Sequence, residues 1–194
     1  MTPDWHPVCT MNPYQFRLAE LSDVPELQAL ITVSIRTLGL SDYSSAQIEG
    51  ALLGAFGVDT QLIRDQTYFV AQSADGTLVA CGGYSFRRTL FGSDQRSERD
   101  STDLDPTVDA AKIRAFFVHP DHVRKGLGTQ LLELSEKGAQ RLGFSRFEMM
   151  ATLPGVRLYQ MMGYQPTQLI QYPLPNGEKI PFMPMYKSVP SSSR

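Results

Sequence analysis

One segment of the chain constrains the fold more than any other, because it joins a buried strand to a helix through a turn containing glycine. The residues AAKIRAFFV at 110–118 are apolar enough to form a central strand, and HPDHVRKGLGTQLL follows at 119–132. Gly126 and Gly128 lie one residue apart, and the apolar spacing typical of a helix then continues to Gly143. The segment therefore predicts a strand, a tight turn and a helix that packs back on the sheet.

The start of this helix has the features of an anion-binding site. The first N–H groups of a helix lack partners within the helix, and the helix dipole makes that end positive. Glycine lets backbone amides approach a ligand without interference from a Cβ atom. Arg124 and Lys125 add positive charge beside the two glycines. The turn therefore predicts a diphosphate site, although an ordinary strand-to-helix turn with exposed basic residues would have the same features.

Composition limits the classes of protein to which the chain can belong. The chain has 194 residues, 42% hydrophobic and 20% charged, which is typical of one globular domain. A formal net charge of −2 gives no overall attraction to nucleic acid or to an anionic membrane. Cys9 and Cys81 predict neither a disulfide framework nor a zinc site. We expect a cytoplasmic protein, since no segment reads as a signal peptide or a membrane span.

The remaining sequence predicts strands and helices in a single α+β domain with a mixed sheet. Strands are predicted at 14–19, 67–73, 77–88, 110–118, 146–152, 169–174 and 180–187, and helices at 22–39, 44–56, 126–143 and 154–162. We expect the domain to span residues 13–188, with a loose extension at 1–12 and a loose tail at 189–194. In the helix after Gly126, we expect Leu142 to point inward and Glu136 to point outward.

Two segments of the chain resemble the GNAT superfamily of acyl-CoA-dependent N-acetyltransferases. AFFVHPDHVRKGLGTQLL is similar to the coenzyme A motif of that family, in which a strand and V-x-P precede [Q/R]-x-x-G-x-[G/A] at the start of a helix. ATLPGVRLYQMMGY is similar to the closing motif, with a tyrosine on a short helix and then a G-[FY] pair. The resemblance covers residues 13–187 and implies a three-layer, mostly antiparallel sheet with helices on both sides and splayed strands at the acyl-CoA site.

The resemblance also implies a reaction and a set of site residues. Acetyl-CoA would be the cosubstrate, no metal would be needed, and the acetyl group would pass directly to an amine. Tyr159 takes the position of the family's general acid, although without the resemblance it reads as a core aromatic. The implied coenzyme-binding residues are Phe116, Phe117, Val118, Val123, Arg124, Lys125, Gly126, Leu127, Gly128, Thr129 and Thr152.

The sequence departs from the family pattern at two positions. Val123 stands where the family has Gln or Arg, and the arginine follows one residue later, so no specific role follows for the Arg124 side chain. Main-chain amides do most of the diphosphate binding in the family, which makes this loss tolerable. Thr152 stands where asparagine is common, and a hydroxyl can still hydrogen-bond the coenzyme, though less fully than an amide side chain.

The general base and the acceptor-binding residues stay open on the sequence alone. Three side chains are candidates for the base and three others lie in segments that often line the acceptor side in the family. These are Glu148, His119 and His122 for the base, and Tyr43, Tyr84 and Glu49 for the acceptor side. We interpret Cys81, between Ala80 and Gly82, as a packing residue rather than a nucleophile.

The loop at 92–109 leaves the charge of the acceptor undecided. Its six acidic and two basic residues give a net charge of −4, which would suit a lid that attracts a cationic amine or simply a solvated loop. Arg87 and Arg88 just before it would instead favour an anionic acceptor. We expect a small-molecule or peptide amine as acceptor, with no nucleic-acid or membrane partner, and a homodimer is compatible with the sequence. The alternative functions are a non-catalytic acyl-CoA-binding module and a phosphate-binding protein that uses the same turn.

Overall fold

A computed structural model describes residues 13–89, 92–94 and 102–190 of the chain. The elements in these ranges are β1 (Gln15–Leu18), α1 (Val24–Leu38), α2 (Ser45–Leu52), α3 (Thr60–Arg64), β2 (Tyr68–Gln72), β3 (Leu78–Ser85), β4 (Ala111–Val118), α4 (Leu127–Arg141), β5 (Arg146–Thr152), α5 (Val156–Met161), β6 (Gln165–Pro166), β7 (Ile170–Pro173) and β8 (Lys179–Ser188). The predicted loose extension at 1–12 lies outside the described residues, and the division into domains stays a prediction.

The eight strands in the described ranges belong to one sheet. Its order is β1-β2-β3-β4-β5-β8-β6, and β7 also pairs with β8. The pair β4–β5 is parallel, and the other pairs are antiparallel. This confirms the predicted fold class, a mixed and mostly antiparallel sheet with helices on its faces.

Helices cover the sheet on two faces. The apolar residues of α1 and α2 pack with Phe117 and Phe182 in one buried cluster, and we call this side the α1 face. Those of α4 and α5 pack with Phe116 and Met149, and we call this side the α4 face. Leu131 and Leu132, on the inner side of α4, are both fully buried. The centre of the sheet, strands β3 to β5, is therefore enclosed from both sides.

Two predicted orientations on α4 are wrong. Leu142 is 46% exposed, because it is the C-cap residue, where the helix ends and its inward stripe stops. Glu136 is buried rather than outward. The ammonium group of Lys187, on β8, donates to both carboxylate oxygens of Glu136 at 2.9 and 2.7 Å, and this partner makes a buried carboxylate tolerable.

Two short elements were not expected from the sequence. Helix α3 has five residues and begins after Asp59, whose carboxylate accepts a hydrogen bond from the Gln61 N–H at 3.1 Å. Strand β6 has only two residues, so neither element is long enough to show a periodic apolar pattern. No helix in the described ranges combines the length and the apolar character that crossing a bilayer requires. The expected cytoplasmic location stays a prediction.

Candidate active site

A gap opens between the two parallel strands at the centre of the sheet. β4 and β5 pair from Ala111 opposite Phe147 to Ile113 opposite Met149, and their pairing ends there. The rest of β5 continues to pair with β8, and the end of β4 continues to pair with β3. An edge that stops pairing in this way can offer backbone groups to a ligand that enters the gap.

A β-bulge in β4 coincides with the end of this pairing. Cys81 lies opposite Phe117 while Gly83 lies opposite Arg114, so β4 has one residue more than β3 across this stretch. Ala115 occupies the left-handed region with a φ of 58°, which is unusual for a residue other than glycine. A bulge bends its strand and increases the local twist, and here it turns β4 away from β5.

Two buried side chains, one from β2 and one from β3, hold the bulge. The Tyr68 hydroxyl donates to the Ala115 carbonyl at 3.2 Å, and the Cys81 thiol donates to the same carbonyl at 3.7 Å. Both side chains are fully buried. Burial raises the pKa of Cys81 to about 12, so the group stays a thiol, as its interpretation as a packing residue requires.

The gap contains a cavity of about 70 Å³, which we call the β4–β5 cavity. Its walls come from β4, β5, α5, β8, the segment after α2 and Gly92. The lining residues are Ala55, Phe56, Gly57, Gly92, Ile113, Arg114, Ala115, Phe116, Phe117, Met149, Met150, Thr152, Tyr159 and Phe182. The structure thereby brings together four predicted site residues, Phe116, Phe117, Thr152 and Tyr159.

Tyr159 faces the cavity from α5. Its ring meets that of Phe116 edge-on with the centroids 6.2 Å apart, and Phe116 is accommodated because Gly82 has no side chain: a Cβ there would lie 2.8 Å from the ring. Burial raises the pKa of Tyr159, so its hydroxyl keeps its proton at neutral pH. Within the described residues, the hydroxyl makes no hydrogen bond, which leaves its proton for a ligand in the cavity.

The turn before α4 presents backbone N–H groups at the end of β4. A 3-10 turn at Pro120–His122 leads into it, and Arg124 and Gly126 have positive φ angles of 63° and 78°. The first backbone bond of α4 runs from the Gln130 N–H to the Gly126 carbonyl at 3.1 Å. In the part of the chain that the structure describes, no carbonyl accepts from the N–H groups of residues 123–129. This arrangement suits an anion, and the binding roles of these residues stay predictions.

Gly128 has a packing role that the sequence did not reveal. A Cβ atom at Gly128 would lie 2.8 Å from the Leu158 side chain, so the glycine lets α4 and α5 approach closely. Leu158 precedes Tyr159 on α5. The first turn of α4 therefore packs against the residue next to Tyr159, although the two segments are distant in the sequence.

Tyr43 supports the site without lining it. Its hydroxyl accepts a hydrogen bond from the Leu153 N–H at 2.8 Å and donates to the Pro181 carbonyl at 3.2 Å. Burial raises the pKa of Tyr43 to about 12. The side chain thus ties the end of α1 and the start of α2 to the chain that leads into α5.

The other candidates for the base or the acceptor side lie elsewhere. Glu148 sits on the part of β5 that still pairs with β4, where it forms an ion pair with Lys112 in a separate cleft. Tyr84 packs under α4 against Gly138, and Glu49 forms an exposed ion pair with Arg36 at 2.8 Å.

The two candidate histidines flank the turn rather than the cavity. The imidazole of His119 accepts a hydrogen bond from the Asp121 N–H at 3.3 Å. The Nδ1 atom of His122 lies 3.0 Å from the Tyr14 hydroxyl. Neither histidine lines the β4–β5 cavity.

Charged residues around the 92–109 loop bind protein groups where the structure describes them. Arg87 forms two hydrogen bonds with Asp65, at 2.6 and 2.8 Å, and a third with Asp103 at 3.1 Å, which argues against its holding an anionic acceptor. The Asp94 carboxylate accepts from the Thr60 N–H at 3.1 Å. Residues 95–101 of the loop lie outside the described residues, so the lid hypothesis stays open for them.

Comparison with known proteins supports the resemblance seen in the motifs. The model of the acetyltransferase (GNAT) family matches residues 40–164. A GCN5-related N-acetyltransferase from Rhodopseudomonas palustris is similar in structure, with a TM-score of 0.67, 22% identity and coverage of 92% of this chain and 98% of that chain. No protein of curated function matches the sequence.

Two similar structures contain the coenzyme. One is the PaiA N-acetyltransferase from Thermoplasma acidophilum in complex with coenzyme A, with a TM-score of 0.61, 14% identity and coverage of 91% and 99% of the two chains. The other is YncA from Salmonella typhimurium with acetyl-CoA, with a TM-score of 0.59, 16% identity and coverage of 93% and 96%. At these identities the likeness establishes the fold. Among the described residues, His, Cys, Asp and Glu side chains form no group of three or more that could hold a metal ion.

The bulge predicts a stability effect for Tyr68→Phe. The substitution leaves the Ala115 carbonyl without its hydroxyl donor, and we expect a loss of about 1–2 kcal/mol in the free energy of unfolding, measured with urea. Tyr84→Phe is the matched control, because this buried tyrosine of the adjacent strand makes no described hydrogen bond through its hydroxyl. Equal losses for the two variants would contradict the role given to Tyr68.

Proposed function

Because the chain belongs to the GNAT acetyltransferase family, we propose that it transfers an acetyl group from acetyl-CoA to an amine by direct attack on the thioester. The observation that best supports this proposal is the β4–β5 cavity, which lies in a gap of the sheet and is lined by Tyr159. The turn at 123–129 lies at the end of the same strand and presents backbone N–H groups.

In this proposal, the coenzyme extends from the turn into the gap. The N–H groups of 123–129 bind the diphosphate, with the positive end of α4 and the side chains of Arg124 and Lys125 adding to the attraction. The pantetheine arm pairs with backbone groups of Phe116–Val118 much as an added strand would. The Thr152 hydroxyl, at the opposite edge of the gap, is available for a further hydrogen bond.

The thioester then lies beside Tyr159. An amine with a pKa of about 10.4 must lose its proton before it can attack the carbonyl carbon. Attack forms a tetrahedral oxyanion, which a backbone N–H near Val118 can stabilise. Collapse of the intermediate breaks the carbon–sulfur bond, and the Tyr159 hydroxyl donates a proton or a hydrogen bond to the departing thiolate, whose pKa is about 8.5.

No general base is assigned within the cavity. Its described lining contains no histidine, aspartate or glutamate, and its one arginine, Arg114, is paired with Asp59 at 2.7 Å. The reaction therefore depends on an amine that arrives deprotonated or loses its proton to water at the rim.

The proposal predicts a selective kinetic defect for Tyr159→Phe. Removing the hydroxyl should lower kcat by about 10²-fold, because general acid catalysis contributes on that order, while the Kd for acetyl-CoA changes little. Thiol release with a broad amine panel measures kcat, and isothermal titration measures Kd. Tyr186→Phe, an exposed tyrosine on β8, is the control and should keep wild-type kcat.

Two results would count against this account. Unchanged turnover of Tyr159→Phe would remove the proposed role of the hydroxyl. Tight coenzyme binding by the wild-type protein, with no turnover on any amine, would instead support a non-catalytic acyl-CoA-binding module.

A second prediction concerns the turn. Gly126 has a φ of 78°, and an alanine there costs about 1–2 kcal/mol or moves the turn. We expect Gly126→Ala to raise the Kd for coenzyme A up to about tenfold. Gly143→Ala is the matched control, since Gly143 has a φ of 94° at the other end of α4 and should lose stability without losing affinity. Equal affinities of the two variants would argue against diphosphate binding at the turn.

A further inference from the structure

We propose that the acceptor is a primary amine carried on an uncharged, apolar arm. This inference rests on the function proposed above and adds the chemical class of the acceptor. It follows from the lining of the β4–β5 cavity, where three phenylalanine rings on the α1 face accompany Arg114, whose charge is already paired with Asp59.

The direction of attack places the acceptor on that face. Tyr159 and Phe116 approach the cavity from the α4 face, where they belong to one buried cluster. The amine attacks the thioester carbon while the sulfur leaves toward Tyr159, so the two groups occupy different sides of the tetrahedral intermediate. The acceptor therefore enters from the α1 face, where Phe56, Phe117 and Phe182 line the cavity.

The three phenylalanines form a rigid apolar wall. The Phe56 ring meets the Phe117 ring edge-on at 6.1 Å between centroids and the Phe182 ring at 5.9 Å. Their exposed fractions are 5%, 8% and 2%, so little of their surface is available to solvent. A ligand atom that enters between them loses its water and gains only apolar contacts.

The charge behind this wall is balanced within the protein. The Arg114 guanidinium, with 4% of its side chain exposed, lies 2.7 Å from the carboxylate of Asp59, which is 1% exposed. Arg114 also donates to the Gly92 carbonyl at 2.9 Å. A carboxylate on the acceptor would have to displace Asp59, and a second ammonium would find no carboxylate in the described lining. Either charge would be desolvated without a partner, which is costly.

Backbone and side-chain hydrogen bonds hold the rim of the cavity in place, so the rim does not widen easily for a larger polar group. Ser93 donates to the Gly54 carbonyl through its N–H at 3.1 Å and through its hydroxyl at 3.0 Å. The Asp94 N–H donates to the Val58 carbonyl at 3.0 Å. Residues 92–94 are thus joined to the segment after α2 in a preformed wall.

The size of the cavity determines which atoms of the acceptor it can contact. A volume of about 70 Å³ is room for roughly five to seven water-sized groups, at about 10–15 Å³ each. That space holds the thioester and the first atoms of the arm behind the attacking nitrogen. The cavity therefore selects for uncharged carbon atoms next to the amine, as found in free alkylamines and in lysine side chains.

Three amines of similar size test this selectivity with the full-length wild-type protein. Butylamine, 1,3-diaminopropane and β-alanine end respectively in a methyl, an ammonium and a carboxylate group. We expect kcat/KM for butylamine to exceed the other two by at least about tenfold, measured as thiol release from acetyl-CoA. Acetylation of the diamine or of β-alanine as efficient as that of butylamine would overturn the inference.

A charge substitution gives an independent test. Ala55→Asp adds a carboxylate at the cavity wall and should raise the ratio of kcat/KM for 1,3-diaminopropane over butylamine by about tenfold. Ala46→Asp, on the exposed face of α2, is the matched control and should leave the ratio unchanged. An unchanged ratio in Ala55→Asp, with acetyl-CoA binding intact, would contradict entry of the acceptor past this wall.

A last comparison distinguishes a free alkylamine from a lysine side chain as the source of the arm. The same measurements distinguish failure of the proposed function from failure of the inference about the acceptor. Butylamine is compared with a short capped peptide that contains one lysine, and the better substrate identifies a free alkylamine or a lysine side chain as the source. If acetyl-CoA binds but no amine is acetylated, the proposed function itself fails and the inference fails with it. Acetylation of charged amines in preference to butylamine leaves the function standing and removes the inference alone.

Discussion

The hydrogen bond from the Tyr68 hydroxyl to the Ala115 carbonyl fixes the feature on which the site depends. It holds one extra residue in β4, at the point where β4 and β5 cease to pair. Without the bulge, two parallel strands in the middle of a sheet would continue to pair and leave no unpaired edge. The bulge creates both the cavity and the free backbone groups beside it, so the architecture of the sheet generates the site directly.

The position of Tyr159 depends on contacts between segments far apart in the sequence. Tyr43 binds the Leu153 N–H, just before α5, and Gly128 of α4 lies against Leu158. The segment that carries Tyr159 is therefore contacted from two directions, by Tyr43 and by the helix that follows the turn. Its buried position keeps the hydroxyl protonated, which is the state that the proposed reaction requires.

The sequence predicted those parts of the site that are local in the chain. The strand at 111–118, the turn and the start of α4 carry their signal in a short apolar run, two glycines and two cations. The strand order was not readable from such patterns, but the fold class followed from the two motifs in their correct order. Tyr159 could be singled out because it lies within one of these motifs.

The parts that could not be predicted arise from tertiary contacts. Ala115 carries no sign of a bulge, because alanine rarely adopts a positive φ and the support comes from Tyr68, 47 residues away. Phe56 and Phe182 reach the cavity from segments far apart in the sequence, and each alone looks like an ordinary core residue. Glu136 was expected to face solvent because its partner, Lys187, lies 51 residues away.

Amide hydrogen exchange with and without acetyl-CoA tests the central claim most directly. If the coenzyme binds the turn and extends into the gap, saturating acetyl-CoA should slow exchange at residues 123–129, whose N–H groups bind no described carbonyl, and at the end of β4, Phe116–Val118. Protection confined to other regions, such as the cleft beside Lys112 and Glu148, would contradict the account.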